Sequence, residues 1–478
     1  MTSDNSTATP SSASSPDNTA TDNQRLRELA TGKIGRLLWH YSIPAVTGMV
    51  VMSLYNVIDR IFIGQGVGPE AIAGLAITFP VMNIATALGV LIGAGASARV
   101  SILLGAGNKR SAERILGNAL VLTIVIGIIY IGIFASVLTP MLRAFGASDA
   151  TLPYAYDFIF HLLPGLMLSN IAFGLNNVMR ASGYPVRAMM TNLIGAGANL
   201  VLAPIFLFGF GWGIKGAAIA TDISMGISAI FVLAHFFDRR TPLRFRHGIY
   251  GLQVSSVVGI LSIGAAPCLV NLAGSMINVI VNRNLVAYGS DMAVAAAGIF
   301  TTYTTLIIMV VLGICLGMQP IVGYNYGARQ YGRLRHVLWL AVGWSTLFVT
   351  AGCAFGLLCP QLIARAFTTD ENLISITAGA FSTAMLSFWQ VGFQIVATNF
   401  FQSLGYAGKS IIMSLSRQVI FLIPLLYIMP RYMGLNGIWA AYPMSDTMAT
   451  MVAAVLVWWQ LRVIARCERQ GELRPAIS

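Results

Sequence analysis

Long apolar runs separated by short polar gaps make up this chain from about residue 39 onward. A helix needs about 20 mainly apolar residues to cross the hydrocarbon core of a bilayer. Runs of that kind predict spans near 39–63, 72–104, 115–138, 152–180, 188–209 and 215–237. A second set is predicted near 256–286, 293–325, 336–359, 373–403, 411–429 and 436–462. Several exceed the minimum length, which implies tilt or extension beyond the bilayer. The expected architecture is an all-α polytopic membrane protein with twelve transmembrane helices in two six-helix lobes.

Composition strengthens this picture. The chain has 478 residues, 56% hydrophobic and 10% charged, whereas a soluble domain carries roughly 25% charged residues. Too few charges are available to clothe a chain of this length in water, so lipid must be its outer solvent. Residues 1 to about 24 are rich in Ser, Thr, Asn, Asp and Pro and lack the apolar region of a signal peptide. The organisation predicted is a disordered tail at 1–32, a first lobe at 33–237, a cytoplasmic linker at 238–255, a second lobe at 256–462 and a cytoplasmic tail at 463–478. The five cysteines are scattered and form no CxxC pair, so neither a disulfide framework nor a zinc site is indicated.

The net charge of +12 changes the picture only through its distribution. A nucleic-acid partner would require a basic face on a soluble domain, but here the basic residues lie in clusters between apolar runs. With the N-terminus inside, 22 of the 29 Lys and Arg residues fall on the cytoplasmic side, Lys409 and Arg417 among them. Arg143, Lys215, Arg365 and Arg431 fall outside, and Arg60, Arg99 and Arg283 lie within spans. The positive-inside bias therefore predicts a multi-pass protein of the cytoplasmic membrane with both termini in the cytoplasm.

The two halves also repeat. Pro44 and Pro267 are 223 residues apart, as are Arg60 and Arg283, and Asp59 falls opposite Asn282. Gly105-Ala106 matches Gly327-Ala328, and Gly183-Tyr184 matches Gly405-Tyr406, both at an offset of 222. Asp222 matches Asp446 at 224. Six spans per half point both halves the same way, which predicts parallel repeats with a cavity between them.

The segments YNVIDRIFIGQGVGPEAIAGLAITFPVMN (55–83), GAGNKRSAERILGNA (105–119) and RASGYPVRAMMTNLIGAGANLVLAPIFLFGFGWGIKGAAIATDIS (180–224) resemble the multidrug and toxic compound extrusion (MATE) family. YNYGARQYGRLR (324–335) and QSLGYAGKS (402–410) are similar counterparts in the second half. The likeness runs from about residue 33 onward and is greatest to the bacterial branch of MepA-like and DinF-like transporters. It implies two lobes in a V and export driven by entry of H⁺ or Na⁺. It also implies an ion-coupling site on Asp59, Asn199 and Thr221, the positions that match the family's Asp, Asn and Thr. The family's second Asp, one turn beyond the Asn, is Ala203 here. A sodium site at Asp59, Asn199 and Thr221 would thus hold a single carboxylate, which turns the expectation toward protons.

The residues themselves bear on this. An ionised Asp at a helix centre costs roughly 2.5–3.5 kcal/mol on insertion scales, so such residues face a cavity or a partner. A carboxyl group taken out of water keeps its proton more readily, which suits a proton carrier. The structural alternative for Asp59 is an ion pair, although the adjacent Arg60 points about 100° away on a helix. Asp222 and Asp446 could be packing contacts; alternatively, Asp222 replaces the carboxylate missing at Ala203, although it does not share the helical face of Thr221. His161 is either a proton relay or a hydrogen-bonded structural residue. Pro44, Pro80, Pro164, Pro204, Pro267, Pro320, Pro424 and Pro443 are candidate kinks. Tyr303, Met309, Met318, Trp389, Gln390 and Gln394 are candidate substrate-cavity linings, because Met and aromatic surfaces suit varied lipophilic cations; packing or lipid contact is the alternative for each.

The function expected is secondary active efflux of small organic compounds by alternating access, in a monomer with membrane lipid around it and no cofactor beyond a transported ion. The alternative within the same superfamily, a flippase for lipid-linked oligosaccharide, would call for more cationic residues in the central cavity. A membrane-embedded enzyme would need a catalytic constellation, and none is apparent: there is no HExxH and no Ser/His/Asp grouping.

Overall fold

The computed structural model describes residues 26–67, 69–238 and 240–470. The described residues are helical with no strand, and eleven helices are long and apolar enough to cross a membrane. A bent pair counted as one span gives the twelfth. The first half comprises α1 (Ile34–Gly66), α2 (Pro69–Gly105), α3 (Lys109–Ala144), α4 (Leu152–Ala181), α5 (Pro185–Pro204) and α6 (Gly213–Phe237). The second half comprises α7 (Val254–Tyr288), α8 (Asp291–Gly327), α9 (Tyr331–Leu358), the broken α10 (Glu371–Ala384 and Val391–Ser403), α11 (Ala407–Leu415 and Ile423–Met433) and α12 (Leu435–Gln470).

Most helices extend past the apolar runs, because polar end residues continue the backbone ladder into the interfacial region. Local signals set the ends. Asn108 accepts the Ser111 N–H at 3.1 Å and caps α3, and Asp370 accepts the Asn372 N–H at 2.8 Å and caps the first part of α10. Gly183 and Gly405 take φ of 99° and 80° and end α4 and α10 in matching turns.

Three departures from the expected pattern have local causes. The single span expected over 373–403 bends by 56° where a 3₁₀ turn, Phe388–Gln390, interrupts it. α5 runs on into a π-helical turn, Ile205–Gly209, just after Pro204, and α11 contains another, Ser416–Leu422, just before Pro424. Each proline withholds an N–H from the ladder, which the wider turn accommodates. The disordered tail expected at 1–32 needs correction at its end: 26–31 are helical and Leu29 is fully buried among second-half side chains. The rest of that tail, 1–25, lies outside the described residues, as do 471–478; α12 continues through 463–470.

The largest fully buried side chains sit inside the bundles: Phe236 in the first half, and Phe381, Phe400 and Phe401 in the second. Ile128, Val201 and Ile230 of the first half, and Val279, Met451 and Val455 of the second, are more than 60% exposed. In water such a surface would be an aggregation site; in a bilayer it is the lipid-facing wall.

The halves meet through α1, α2, α7 and α8, and the repeat is visible in how they touch. A Cβ on Gly105 would overlap the Tyr324 carbonyl, and one on Gly327 would overlap the Ile102 carbonyl. In these reciprocal contacts Gly105 and Gly327, and likewise Ile102 and Tyr324, are 222 residues apart, which places a pseudo-twofold axis between α2 and α8. Gln319 donates to Ser97 Oγ at 2.8 Å across the same seam, again at a separation of 222. Ser42 and Val46 of α1 lie against Gly317 and Gly313 of α8. Arg99 donates to the Ser255 carbonyl at 2.9 Å. These contacts lie toward one face. The same face carries both ends of the described chain, since Arg333 of α9 donates to the Gly32 carbonyl at 2.8 Å and Arg335 pairs with Glu468 at 2.8 Å. On that face Asn118 of α3 binds the inter-lobe linker, donating to Ile249 O and Gly251 O and accepting from the Gln253 N–H.

Candidate ion and substrate site

Asp59 lies on α1 about 20 Å beyond Val46 at 1.5 Å per residue, well outside the seam that joins the halves. Tyr55, one turn earlier, shares its helical face. Tyr55 lines the same cavity as Asn199 of α5 and Thr221 of α6. Asn199 Nδ2 of α5 donates to Thr221 Oγ1 at 3.0 Å, and Thr221 Oγ1 donates to the Ala217 carbonyl at 2.9 Å. Three helices thus bring half-buried Tyr55 and buried Asn199 and Thr221 into one polar cluster, with half-buried Asp59 one turn from Tyr55.

A cavity of about 90 Å³ opens beside this cluster, lined in part by Met52, Tyr55, Phe173, Asn199, Thr221 and Ser224. That is room for a few waters, each of which takes about 30 Å³ in the liquid. The wall joins hydroxyl and amide groups to a thioether and an aromatic ring. Ala203, one turn on from Asn199, is 1% exposed, so no polar atom stands where a second acid would. Among the described residues no group of three His, Cys, Asp or Glu gathers to hold a metal ion.

Asp222 follows Thr221 in sequence, yet its carboxylate lies against Gly165 of α4, on another face of α6. It is not part of the Asn199–Thr221 cluster. Its counterpart Asp446 accepts from Arg417 Nε at 2.7 Å and is 3% exposed. Arg417, inside the span predicted over 411–429 and counted on its cytoplasmic side, belongs to the π-helical turn within α11 and reaches Asp446 on α12. The pairing explains how a cation sits within an apolar run: the buried aspartate neutralises it. His161 Nδ1 lies 2.7 Å from the Asp157 carbonyl one turn earlier, and Asp157 pairs with Lys215 at 3.3 Å.

The six candidate linings of the second half are not gathered into one surface. Tyr303 donates to the Gly352 carbonyl at 2.8 Å and packs against Phe381. Met318 is fully enclosed, Gln394 is buried, Met309 and Gln390 are half-buried, and Trp389 is exposed at the break in α10. Tyr55, by contrast, was not singled out by the sequence reading; its signal was a polar aromatic one turn before an intramembrane acid.

Comparisons with known proteins give the family of the fold. The family described as MatE matches twice, over 44–205 and 266–428, one match in each half. The chain is 25% identical over 424 residues to the multidrug export protein MepA of Staphylococcus aureus (strain MSSA476), covering 88% of this chain and 93% of that protein. Identity to MepA of Staphylococcus haemolyticus (strain JCSC1435) is 24% over 428 residues, covering 89% and 93%. Among solved structures, an outward-facing multidrug resistance MATE family transporter of the MOP superfamily superimposes with a TM-score of 0.86 at 26% identity, covering 92% of this chain and 98% of that one. A MATE structure in a bent conformation gives 0.87 at 26% identity, covering 93% and 98%. With two family matches on two repeated bundles of membrane-spanning helices, this chain belongs to the MatE family and is a multi-pass membrane transporter, not an enzyme.

Proposed function

We propose that the chain exports small organic compounds, predominantly lipophilic cations, across the cytoplasmic membrane by antiport against protons. The observation that carries the reading is the cluster of Tyr55, Asn199 and Thr221 one turn from Asp59, with Ala203 closing the place of a second carboxylate. One carboxyl can take and release a proton without other ligands. A sodium ion held there would have a single charged oxygen and neutral hydroxyl or amide oxygens around it. The names of the MepA relatives support multidrug export as the substrate class.

The cycle follows from the seam. The lobes are joined on the face that carries both termini, which the positive-inside bias puts in the cytoplasm. Asp59 lies toward the opposite face, where a proton from outside reaches it. Protonation drives the exchange of lobe arrangements only through its differential affinity for the two.

Ethidium efflux from energised cells expressing the chain tests this. Collapse of efflux on adding a protonophore, with indifference to external Na⁺, is the expected result. Efflux that survives the protonophore and follows Na⁺ would refute proton coupling.

A further inference from the structure

A groove of about 500 Å³ lies on the face that carries both termini, lined by Lys33, Ile34, Gly35, Gly332, Arg333 and His336. Lys33 precedes α1 in the first half, whereas Arg333 and His336 belong to α9 in the second, so the groove spans the two halves. No acidic side chain lines it. Among the described residues neither Lys33 nor His336 pairs with a carboxylate, while nearby Arg335 is taken by Glu468. Arg333 is partly committed: Nε donates to Asn325 Oδ1, and Nη2 to the carbonyls of Leu29 and Gly32. Its Nη1 remains for a ligand.

The helix ends reinforce the charge. α1 and α9 both begin at this groove, neither has a side-chain cap, and neither has an acidic residue in its first turn. Two sets of free backbone N–H groups and two positive dipole ends therefore converge on a cavity already carrying cationic side chains. One to two turns further in, Trp39 packs edge-on against Trp344 at 4.8 Å, and Trp339 is 53% exposed. Tryptophans at that depth mark the membrane interface, which places the groove among the headgroups.

We propose that this groove binds a phosphate group, supplied by the headgroup of an anionic phospholipid. Because Lys33 and Arg333 stand on opposite halves, the occupant bridges them and favours the arrangement in which this face is closed. The inference does not depend on which ion or substrate the transporter moves.

The full chain in detergent, offered phosphatidylglycerol and phosphatidylcholine in equal amounts and read by native mass spectrometry, tests it. The wild type is expected to retain phosphatidylglycerol with about tenfold preference, at the scale of basic residues near an anionic surface. Lys33→Gln combined with His336→Gln should remove most of that preference while leaving the thermal midpoint unchanged, since both side chains are exposed. Arg110→Gln, an exposed cation at the start of α3, should retain it. A further arm adds inorganic phosphate. Displacement of the lipid at millimolar phosphate in the wild type points to a soluble phosphate source, and no displacement points to the lipid. An unchanged preference in the double variant, or an equal loss in Arg110→Gln, would overturn the proposal.

Discussion

Thr221 is the junction of the candidate site, since its hydroxyl accepts from Asn199 and donates to the Ala217 carbonyl, and it lines one cavity with Tyr55. Thr221→Val keeps the shape and removes the hydroxyl, leaving the buried Asn199 amide without this partner. A loss of about 1–3 kcal/mol is expected, read as a lowered thermal midpoint together with slower dye efflux. Ala203 permits the opposite experiment. Ala203→Asp would add a carboxylate one turn from Asn199, and dye efflux should then gain a dependence on Na⁺ that the wild type lacks. Asp59, Asn199 and Thr221 were legible because an acid in an apolar run, and polar groups matching the family's motif, stand out against lipid-soluble neighbours. Tyr55 was not, because an aromatic residue in a membrane helix looks the same in sequence whether it faces lipid, core or a carboxylate. The direction of Asp222 was only half legible: one residue of offset separates it from the face of Thr221, but only packing brings it to Gly165.

At the scale of helices, the apolar runs gave the number and order of spans, because hydrophobic length is a local property. The bend of α10 and the π turns of α5 and α11 were not legible, because they depend on how freed backbone groups are taken up by neighbours. Arg417 shows the same limit: the predicted span over 411–429 contains its charge, but only the fold brings up its partner, 29 positions away on α12. Removing one member of this buried pair strands the other. Arg417→Met or Asp446→Leu alone should cost about 3–5 kcal/mol, whereas the double substitution should be much closer to neutral. Thermal unfolding of the purified variants checks this; a double variant as unstable as the worse single one would show that the pair is not the main interaction of either residue.

For the whole molecule, the repeat read from offsets of 222 to 224 reappears as the reciprocal contacts of Gly105 and Gly327, which fix how closely the lobes approach. Gly327→Val would drive a side chain into the Ile102 carbonyl and push the lobes apart on this face. A cysteine introduced at Ser97, 1% exposed in the seam, should then react several-fold faster with a membrane-impermeant maleimide applied from the termini side. An unchanged rate would mean that the seam tolerates the side chain without parting. The central claim is that Asp59 couples export to protons, and the most direct test is reconstitution in liposomes with an imposed pH gradient and no Na⁺. Ethidium movement driven by the pH gradient is expected in the wild type, none in Asp59→Asn, and none from a Na⁺ gradient alone. Movement driven by Na⁺ alone, or undiminished proton-driven movement in Asp59→Asn, would contradict it.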